Sequence, residues 1–333
     1  MNLPFVVAAL AAGRWLVPES RDPTAPRLDG GGFVLSALGL GALVWSIIEA
    51  PSRGWTDGMI LGGFAVAVAA LVAFVAWERR VAHPMLDIAL FRNRRFSAAS
   101  GAIALAFFAL FGTIFFLTQY LQEVLGYSAL ESGVRVMPVA AGLILASPLS
   151  ARLSAAIGAK VVVAGGLALV SVAMGRLTLA EVGSGYELIA ATLAVLGLGM
   201  GLAMTPATDS VMGSLPIAKA GVGSAVNDAT RTLGGALGVA VLGSLLSSGY
   251  RAGMDQAGAM AQDSLTGALV VAQRMGGSEG ASLAATAQQS FVDGMHGAVI
   301  VGAAIAAAGA LLALVALPGR ASVRVVVAEP ATA

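Results

Sequence analysis

The chain has 333 residues, of which 58% are hydrophobic and only 11% are charged. Soluble domains carry about 25% charged residues, so this deficit indicates a protein that lies in a membrane. A formal net charge of +1 gives no electrostatic basis for binding nucleic acid. Cysteine is absent and the two histidines, His83 and His296, are far apart, so the sequence predicts neither a disulfide framework nor a metal site.

Residues 1–17 are mostly apolar, but charged residues interrupt this stretch before it is long enough to cross a bilayer. A signal peptide would place basic residues before its apolar run, whereas Arg14 follows it. We therefore interpret 1–17 as the tail of a spanning helix, with Arg14 and Trp15 at the membrane interface. The cytoplasmic loop 18–30 follows this segment.

Eight further segments are apolar enough to span a membrane, which requires about 20 predominantly apolar residues. Each is separated from the next by charged residues, proline or glycine. In chain order they are 31–49, 58–77, 98–121, 131–149, 161–180, 188–208, 223–248 and 294–317. The predicted fold class is therefore an all-α, polytopic membrane protein.

The loops between these segments alternate in charge. Twelve Lys or Arg lie in one set of loops and three in the other. The first set is 18–30, 78–97, 150–160, 209–222 and 318–333, and the second is 50–57, 122–130, 181–187 and 249–293. Because basic loops remain in the cytoplasm, the first set is predicted to be cytoplasmic. The polar segment 249–293 is then an outer loop, which could be partly helical.

The basic loop 78–97 has two interpretations. Its apolar residues lie between two clusters of arginine, a pattern typical of a short segment on the inner leaflet beside anionic headgroups. The alternative is an ordinary basic loop that only fixes the topology.

Polar residues inside the spans are the candidate functional residues. Asp228 and Arg231 are three apart and share a helix face, and charges within membranes are usually paired and often functional. Asp228 could carry a proton, or the two residues could form an interfacial pair that only fixes the helix; Asn227 lies beside them. Gln119 and Gln122, near the outer end of 98–121, could line a substrate path or bond to neighbouring helices.

Two further patterns predict structural contacts. Glu131 and Arg135 are four apart in the order that favours an ion pair. The run GLGMG at 197–201 lies inside an apolar span with no strand before it, so it predicts close helix packing rather than a dinucleotide site. The packing residues are Gly197 and Gly201 in one helix and Gly234 and Gly238 in another.

Four stretches resemble the major facilitator superfamily, and more narrowly its fourteen-spanner drug:proton antiporters. They are HPMLDIALFRNRRFSAAS (83–100), TQYLQEVLGYSALESGVRVMP (118–138), SARLSAAIGAK (150–160) and GVGSAVNDATRTLGGALGVAVLGS (221–244). The third is similar to the superfamily's cytoplasmic loop motif, which Leu153, Gly158 and Lys160 match. Ala155 stands where that motif has Asp, so the role of that Asp is not carried over.

The resemblance implies a domain organisation. Residues 1–17 would be the tail of the sixth spanner and 31–77 an extra hairpin, joined by the basic linker 78–97 to the next domain. Residues 98–317, including 249–293, would be the C-terminal six-helix bundle, built as two inverted three-helix repeats. Residues 318–333 would be a cytoplasmic tail. On this resemblance the first five spanners would be missing, so a truncated form is expected.

The resemblance also implies a function. It is proton-coupled efflux of drugs or other amphipathic small molecules by alternating access in the bacterial cytoplasmic membrane. The proton gradient would supply the energy, with no other cofactor and no enzymatic activity. The partners would be the lipid bilayer, the substrate and the missing N-terminal bundle. The alternatives are a different cargo, a non-transporting membrane subunit or an inactive gene remnant.

Overall fold

The computed structural model describes residues 3–16, 29–82, 84–216 and 220–318, and every regular element in these ranges is helical. Within them, eight helical segments are long and apolar enough to cross a membrane, which confirms the predicted all-α, polytopic fold. Most of the loop 18–30, His83 and the tail after Pro318 lie outside the described residues.

The α-helices are numbered in chain order. They are α1 (Leu3–Leu16), α2 (Gly30–Arg53), α3 (Gly58–Glu78), α4 (Arg94–Gln119), α5 (Ala129–Arg135), α6 (Met137–Ile157), α7 (Ala159–Arg176), α8 (Tyr186–Met212), α9 (Ala220–Gly253), α10 (Ala259–Asp263), α11 (Leu265–Met275) and α12 (Gly277–Ala316). Short 3₁₀ turns occupy Ile88–Arg92 and Leu177–Leu179, and a π-helical turn occupies Tyr120–Val124.

Polar residues between the apolar spans fix where helices begin. Asp57 accepts a hydrogen bond from the backbone N–H of Met59 at 2.9 Å and caps α3. Asn93 accepts one from the N–H of Arg95 at 3.0 Å and caps α4. Such side chains satisfy the first N–H groups of a helix, which have no partner inside it. The helices therefore begin at caps rather than where the apolar run begins.

The predicted span 131–149 is broken into two helices. α5 ends at Arg135 and α6 begins at Met137, with Pro138 at the first positions of α6. Proline suits a helix start because its missing N–H has no intrahelical partner there. A single residue, Gly158, then joins α6 to α7 with φ of +91°, a conformation that favours glycine.

The predicted outer loop 249–293 is mostly helical. α9 continues to Gly253, α10 and α11 follow, and α12 begins at Gly277 and runs for 40 residues. The segment is rich in Ala, Gln and Ser, so it lacks the apolar content of a span while still permitting a helix. Hydropathy alone therefore locates the apolar part of α12 but does not show that the helix continues through the polar residues before it.

α2 and α3 pack along each other as a hairpin. Glycines allow the close approach, since Gly39 of α2 faces Leu71, and Gly63 of α3 faces Ser46 and Trp45. The other side of α2 contacts α9. The hairpin therefore lies against the remaining helices and contributes one wall to the cavity described below.

The other long helices form a bundle with reciprocal contacts. α4 packs against α9 and α6 packs against α8, while α12 contacts α4, α7 and α9. With α4, α6 and α7 taken as one half and α8, α9 and α12 as the other, the first helix of each half lies against the second helix of the other half. Related repeats would be arranged in this way. Large side chains buried in this core are Ile103, Phe116, Leu167, Met174, Ile189 and Phe291.

Candidate functional site

The crossing of α4 and α9 positions the candidate site. Gly234 faces the backbone of Ala104, and Gly238 faces that of Phe108. A Cβ atom on Gly238 would lie 2.8 Å from the Phe108 Cα, which is closer than real Cβ atoms come. The absence of side chains at these two positions therefore lets the two backbones meet and brings the aromatic residues of α4 beside α9.

Arg231 contacts three helices. Its Nη2 donates a hydrogen bond of 3.1 Å to the Thr208 hydroxyl of α8. Its Nη1 lies 3.9 Å from Oδ1 of Asp228, one turn away on α9. Its Cζ lies 5.5 Å from the centre of the Phe107 ring of α4, within the range of a cation–π contact. The guanidinium is thus held in place, while its buried Nε has no hydrogen-bond partner in the described part of the chain.

A cavity of about 560 Å³ opens beside this arginine. Its wall is formed by α2, α4 and α9, and Arg231 is its single charged lining residue among those described. The lining residues are Val44, Ile48, Phe107, Phe111, Arg231, Thr232, Gly235, Ala236 and Val239. Pockets of this size and apolar character hold drug-sized molecules, with a few polar groups to orient them.

Asp228 does not line this cavity. Its side chain is 69% exposed, compared with 34% for Arg231. Asn227 is only 6% exposed, and its buried Oδ1 has no hydrogen-bond partner among the residues that the structure describes. The structure therefore brings the cation of the predicted pair to the cavity and leaves the carboxylate outside it. A proton-carrying role for Asp228 stays a prediction.

The two glutamines near the outer end of α4 also lie outside the cavity lining. Nε2 of Gln119 donates to the carbonyl oxygen of Phe115 at 3.4 Å, within its own helix. Gln122 is exposed on the π-helical turn. Neither bonds to a neighbouring helix in the described residues.

The residues that match the cytoplasmic loop motif surround the join of α6 and α7. Leu153 and Lys160 are half-buried, and Gly158 is buried at the single-residue connection. None of the three lines the cavity. Their position makes them part of a tight connection between two spanning helices.

Gly197 and Gly201 lie where α8 packs against α6. Gly197 faces the backbone of Val139, and a Cβ atom on Gly201 would lie 2.7 Å from that of Ala146. This contact is the counterpart of the α4–α9 crossing.

The side chains of Glu131 and Arg135 do not form the predicted close ion pair in the described residues; Nη1 of Arg135 donates instead to the backbone carbonyl oxygen of Glu131 at 3.4 Å. The Glu131 carboxylate accepts hydrogen bonds of 2.9 Å from the N–H and the hydroxyl of Ser128. The Arg135 Cζ lies 3.7 Å from the centre of the Tyr127 ring. A capping box and a cation–π contact thus replace the i,i+4 ion pair.

Several residues of the site could not be recognised as functional from the sequence. Val44 and Ile48 are ordinary apolar residues of a predicted hairpin, and Thr208 is an isolated hydroxyl near a proline. Phe107 and Phe111 are four apart, and their rings stack with centroids 5.9 Å apart. That spacing places them on one helix face, but the sequence does not distinguish them from the other phenylalanines of α4.

In the described residues, no group of three or more His, Asp or Glu side chains could hold a metal ion.

Comparison with known proteins places the chain in a family. Residues 3–239 match the Major Facilitator Superfamily. A tetracenomycin C resistance and export protein of Streptomyces glaucescens is 32% identical over 329 residues, which are 94% of this chain and 61% of that protein. The multidrug efflux pump LfrA of Mycolicibacterium smegmatis is 32% identical over 94% of this chain and 64% of its own length.

A third relative, the multidrug resistance protein Stp of Mycobacterium tuberculosis, is 33% identical over 74% of this chain and 46% of its own length. The chain thus spans between 46% and 64% of the length of these relatives. The bacterial relatives and the apolar spanning helices indicate a multi-pass bacterial membrane protein in contact with the lipid bilayer. The chain belongs to the major facilitator superfamily.

Proposed function

We propose that the chain forms the cavity-bearing part of a proton-coupled exporter of amphipathic small molecules. The observation that carries this proposal is the apolar cavity between α2, α4 and α9, with Arg231 as its charged lining residue. The relatives described as drug resistance or export proteins support the same function. Members of the superfamily transport solutes and are generally not enzymes, so we propose no catalytic activity.

The cavity favours a substrate with an aromatic or aliphatic body and an electronegative group. Phe107, Phe111, Val44 and Ile48 supply apolar contact, and the Arg231 guanidinium supplies hydrogen-bond donors. Because Arg231 rather than Asp228 lines the cavity, we propose that an uncharged or anionic amphipathic molecule binds there.

Alternating access would expose this cavity to one side of the membrane and then to the other. The energy would come from protons that enter as the substrate leaves. A membrane potential of about 100 mV is worth about 2.3 kcal/mol per charge. One pH unit adds about 1.4 kcal/mol. Together these sustain a substrate gradient of roughly several hundredfold.

Binding of aromatic dyes to the purified chain in lipid nanodiscs tests the site. Anionic, neutral and cationic dyes of similar size are titrated into the wild type, Phe111→Ala and Arg231→Gln. We expect Phe111→Ala to weaken binding of all dyes by about tenfold, since 1.4 kcal/mol is a factor of ten. Arg231→Gln should weaken anionic dyes most.

Phe115→Ala is the matched control, because Phe115 is similarly exposed on α4 but does not line the cavity. Equal losses in all three variants, or no dye binding by the wild type, would contradict the proposed site. Flux is measured separately in proteoliposomes with an imposed pH gradient. Flux that a protonophore abolishes would support export by the chain itself, and binding without flux would support a role as one wall of a larger transporter.

A further inference from the structure

Two carboxyl groups meet where α2 begins and α3 ends, on a part of the hairpin that does not line the substrate cavity. Asp29 immediately precedes α2 and caps it, and Glu78 is the last residue of α3. The Glu78 side chain is buried, with the residue only 4% exposed. A buried carboxyl group requires either a hydrogen-bond donor for each oxygen or a proton.

One oxygen of each carboxyl group has donors. Oδ1 of Asp29 accepts hydrogen bonds from the N–H of Gly32 at 2.9 Å and from the indole Nε1 of Trp77 at 2.8 Å. Oε2 of Glu78 accepts one from the N–H of Leu86 at 3.0 Å. The remaining two oxygens, Oδ2 of Asp29 and Oε1 of Glu78, are buried and have no hydrogen-bond partner among the described residues.

These two oxygens border the same small space. A Cβ atom on Gly32 would lie 2.5 Å from Oδ2 of Asp29 and 2.6 Å from Oε1 of Glu78. The glycine therefore leaves room for the two carboxyl groups to face each other. The Trp77 ring lies against the adjacent Gly31 and covers the same end of the helix.

No described cation neutralises the pair. Arg79 and Arg80 follow Glu78 but are exposed and form no ion pair with either carboxylate in the described residues. In the linker, Asp87 accepts a hydrogen bond from the N–H of Ala89. On α9, which contacts α2, Asp228 lies against Arg231. Two carboxyl groups that share such a site cannot both be ionised without a large electrostatic cost.

The hydrogen bonds decide which group stays ionised. The N–H of Gly32, followed by the indole N–H of Trp77, holds the pKa of Asp29 below its ordinary value. Among the described residues, the one N–H donor to Glu78 is that of Leu86, and it bonds to Oε2 rather than to the oxygen that borders the Gly32 space. A proton on Oε1 of Glu78 would turn this atom into a donor, and it could then form a hydrogen bond to Oδ2 of Asp29. Both oxygens would then have a partner.

We propose that Asp29 and Glu78 form a proton-binding site, in which Oε1 of Glu78 carries one proton and donates it in a hydrogen bond to Oδ2 of Asp29. The ligand of this site is a proton, and the site is separate from the substrate cavity. It joins the start of α2 to the end of α3, and Leu86 attaches the following linker to the same carboxyl group. Loss of the proton would place two like charges in this space and separate the helix ends.

Infrared spectroscopy of the full chain in nanodiscs tests the proposal, because a protonated carboxyl group has a carbonyl stretching band that a carboxylate lacks. We expect the wild type to show this band at neutral pH and to shift it in D₂O. The band should be lost in Glu78→Gln and in Asp29→Asn, because the amide NH₂ then supplies the missing donor without a proton. Glu49→Gln is the control, since the Glu49 carboxylate already accepts a hydrogen bond of 3.1 Å from Nε of Arg53, and it should leave the band unchanged.

Absence of the band from the wild type at neutral pH would overturn the proposal, as would a band that survives in both variants. Removal of the band by Na⁺ at constant pH would show a cation site instead and would equally overturn it. If Glu78→Gln does not fold, Asp29→Asn gives the same test. The wild-type spectrum is independent of both variants. Dye binding does not enter this experiment, so its outcome is separate from that of the proposed function.

Discussion

Arg231 of α9 and Thr208 of α8 are joined by a hydrogen bond of 3.1 Å that crosses from one helix to the next. The same guanidinium lies over the Phe107 ring of α4. One side chain therefore connects three helices at the cavity wall. Its charge is oriented by these contacts before any substrate binds.

The two members of the Asp228–Arg231 pair should differ in their effect on stability. Arg231→Ala removes the bond to Thr208 and the contact with Phe107, and we expect it to lower the free energy of unfolding by about 1–3 kcal/mol. Asp228→Asn removes only one end of an exposed pair, so a change below about 0.5 kcal/mol is expected. Denaturant unfolding in detergent micelles measures both. A larger loss for Asp228→Asn would show that the ion pair, not the bond to α8, holds Arg231.

The α4–α9 crossing depends on glycine at position 238. In Gly238→Ala the added methyl group would meet the Phe108 backbone, which cannot move as a side-chain end can. We expect a loss of about 1–3 kcal/mol in unfolding free energy. Gly221→Ala, on the same helix with no described atom within 4 Å of its Cβ position, is the control and should be neutral or slightly stabilising. Equal effects of the two variants on the melting temperature would contradict the close approach.

Tyr120 anchors the π-helical turn after α4. Its hydroxyl donates a hydrogen bond of 2.7 Å to the carbonyl oxygen of Glu181, in the connection before α8. Tyr120→Phe keeps the ring and removes the donor, so a loss of about 1 kcal/mol is expected. Tyr127→Phe is the control, because the Tyr127 hydroxyl makes no such bond in the described residues. Thermal unfolding of both variants measures the difference, and equal melting temperatures would exclude this role for the Tyr120 hydroxyl.

The pKa of Asp29 predicts a dependence on pH. It is lowered chiefly by the N–H of Gly32 and next by the indole of Trp77. A group whose pKa is lower in the folded state stabilises the protein above its unfolded pKa, which is about 3.9 for Asp. This contribution is lost as the pH falls below about 4, through the lowered folded value. Asp29→Asn should therefore show a shallower loss of stability on acidification, and parallel curves would contradict the prediction.

The spans could be predicted because a bilayer requires about 20 apolar residues, whatever the neighbouring helices do. The break between α5 and α6 is less visible, since Val136 and Pro138 are apolar and lie inside one hydropathy window. The polar half of α12 could not be predicted from hydropathy, because its helix continues beyond the apolar residues.

The candidate site was only partly predictable, because part of its lining depends on which helices pack together. A charge such as Arg231 is conspicuous in an apolar span, whereas Val44 and Ile48 become cavity residues only because α2 packs on α9. The sequence offered two partners for the Glu131 carboxylate, Arg135 and Ser128. In the structure the carboxylate bonds to Ser128, which caps the start of α5. Asp29 and Glu78 lie at the edges of two different predicted loops, so nothing in the sequence brought them together.

The length of α12 has a mechanical consequence. Its 40 residues extend for about 60 Å at 1.5 Å per residue, roughly twice the thickness of the hydrocarbon layer. Gln288, in its polar half, donates to the carbonyl oxygen of Glu123 at 3.1 Å and ties this half to the end of the π-helical turn. If the helix moved as a straight rod, a tilt of about 10° around its midpoint would displace each tip by about 5 Å. A spin label on the polar tip would therefore amplify and report movements that begin among the buried helices.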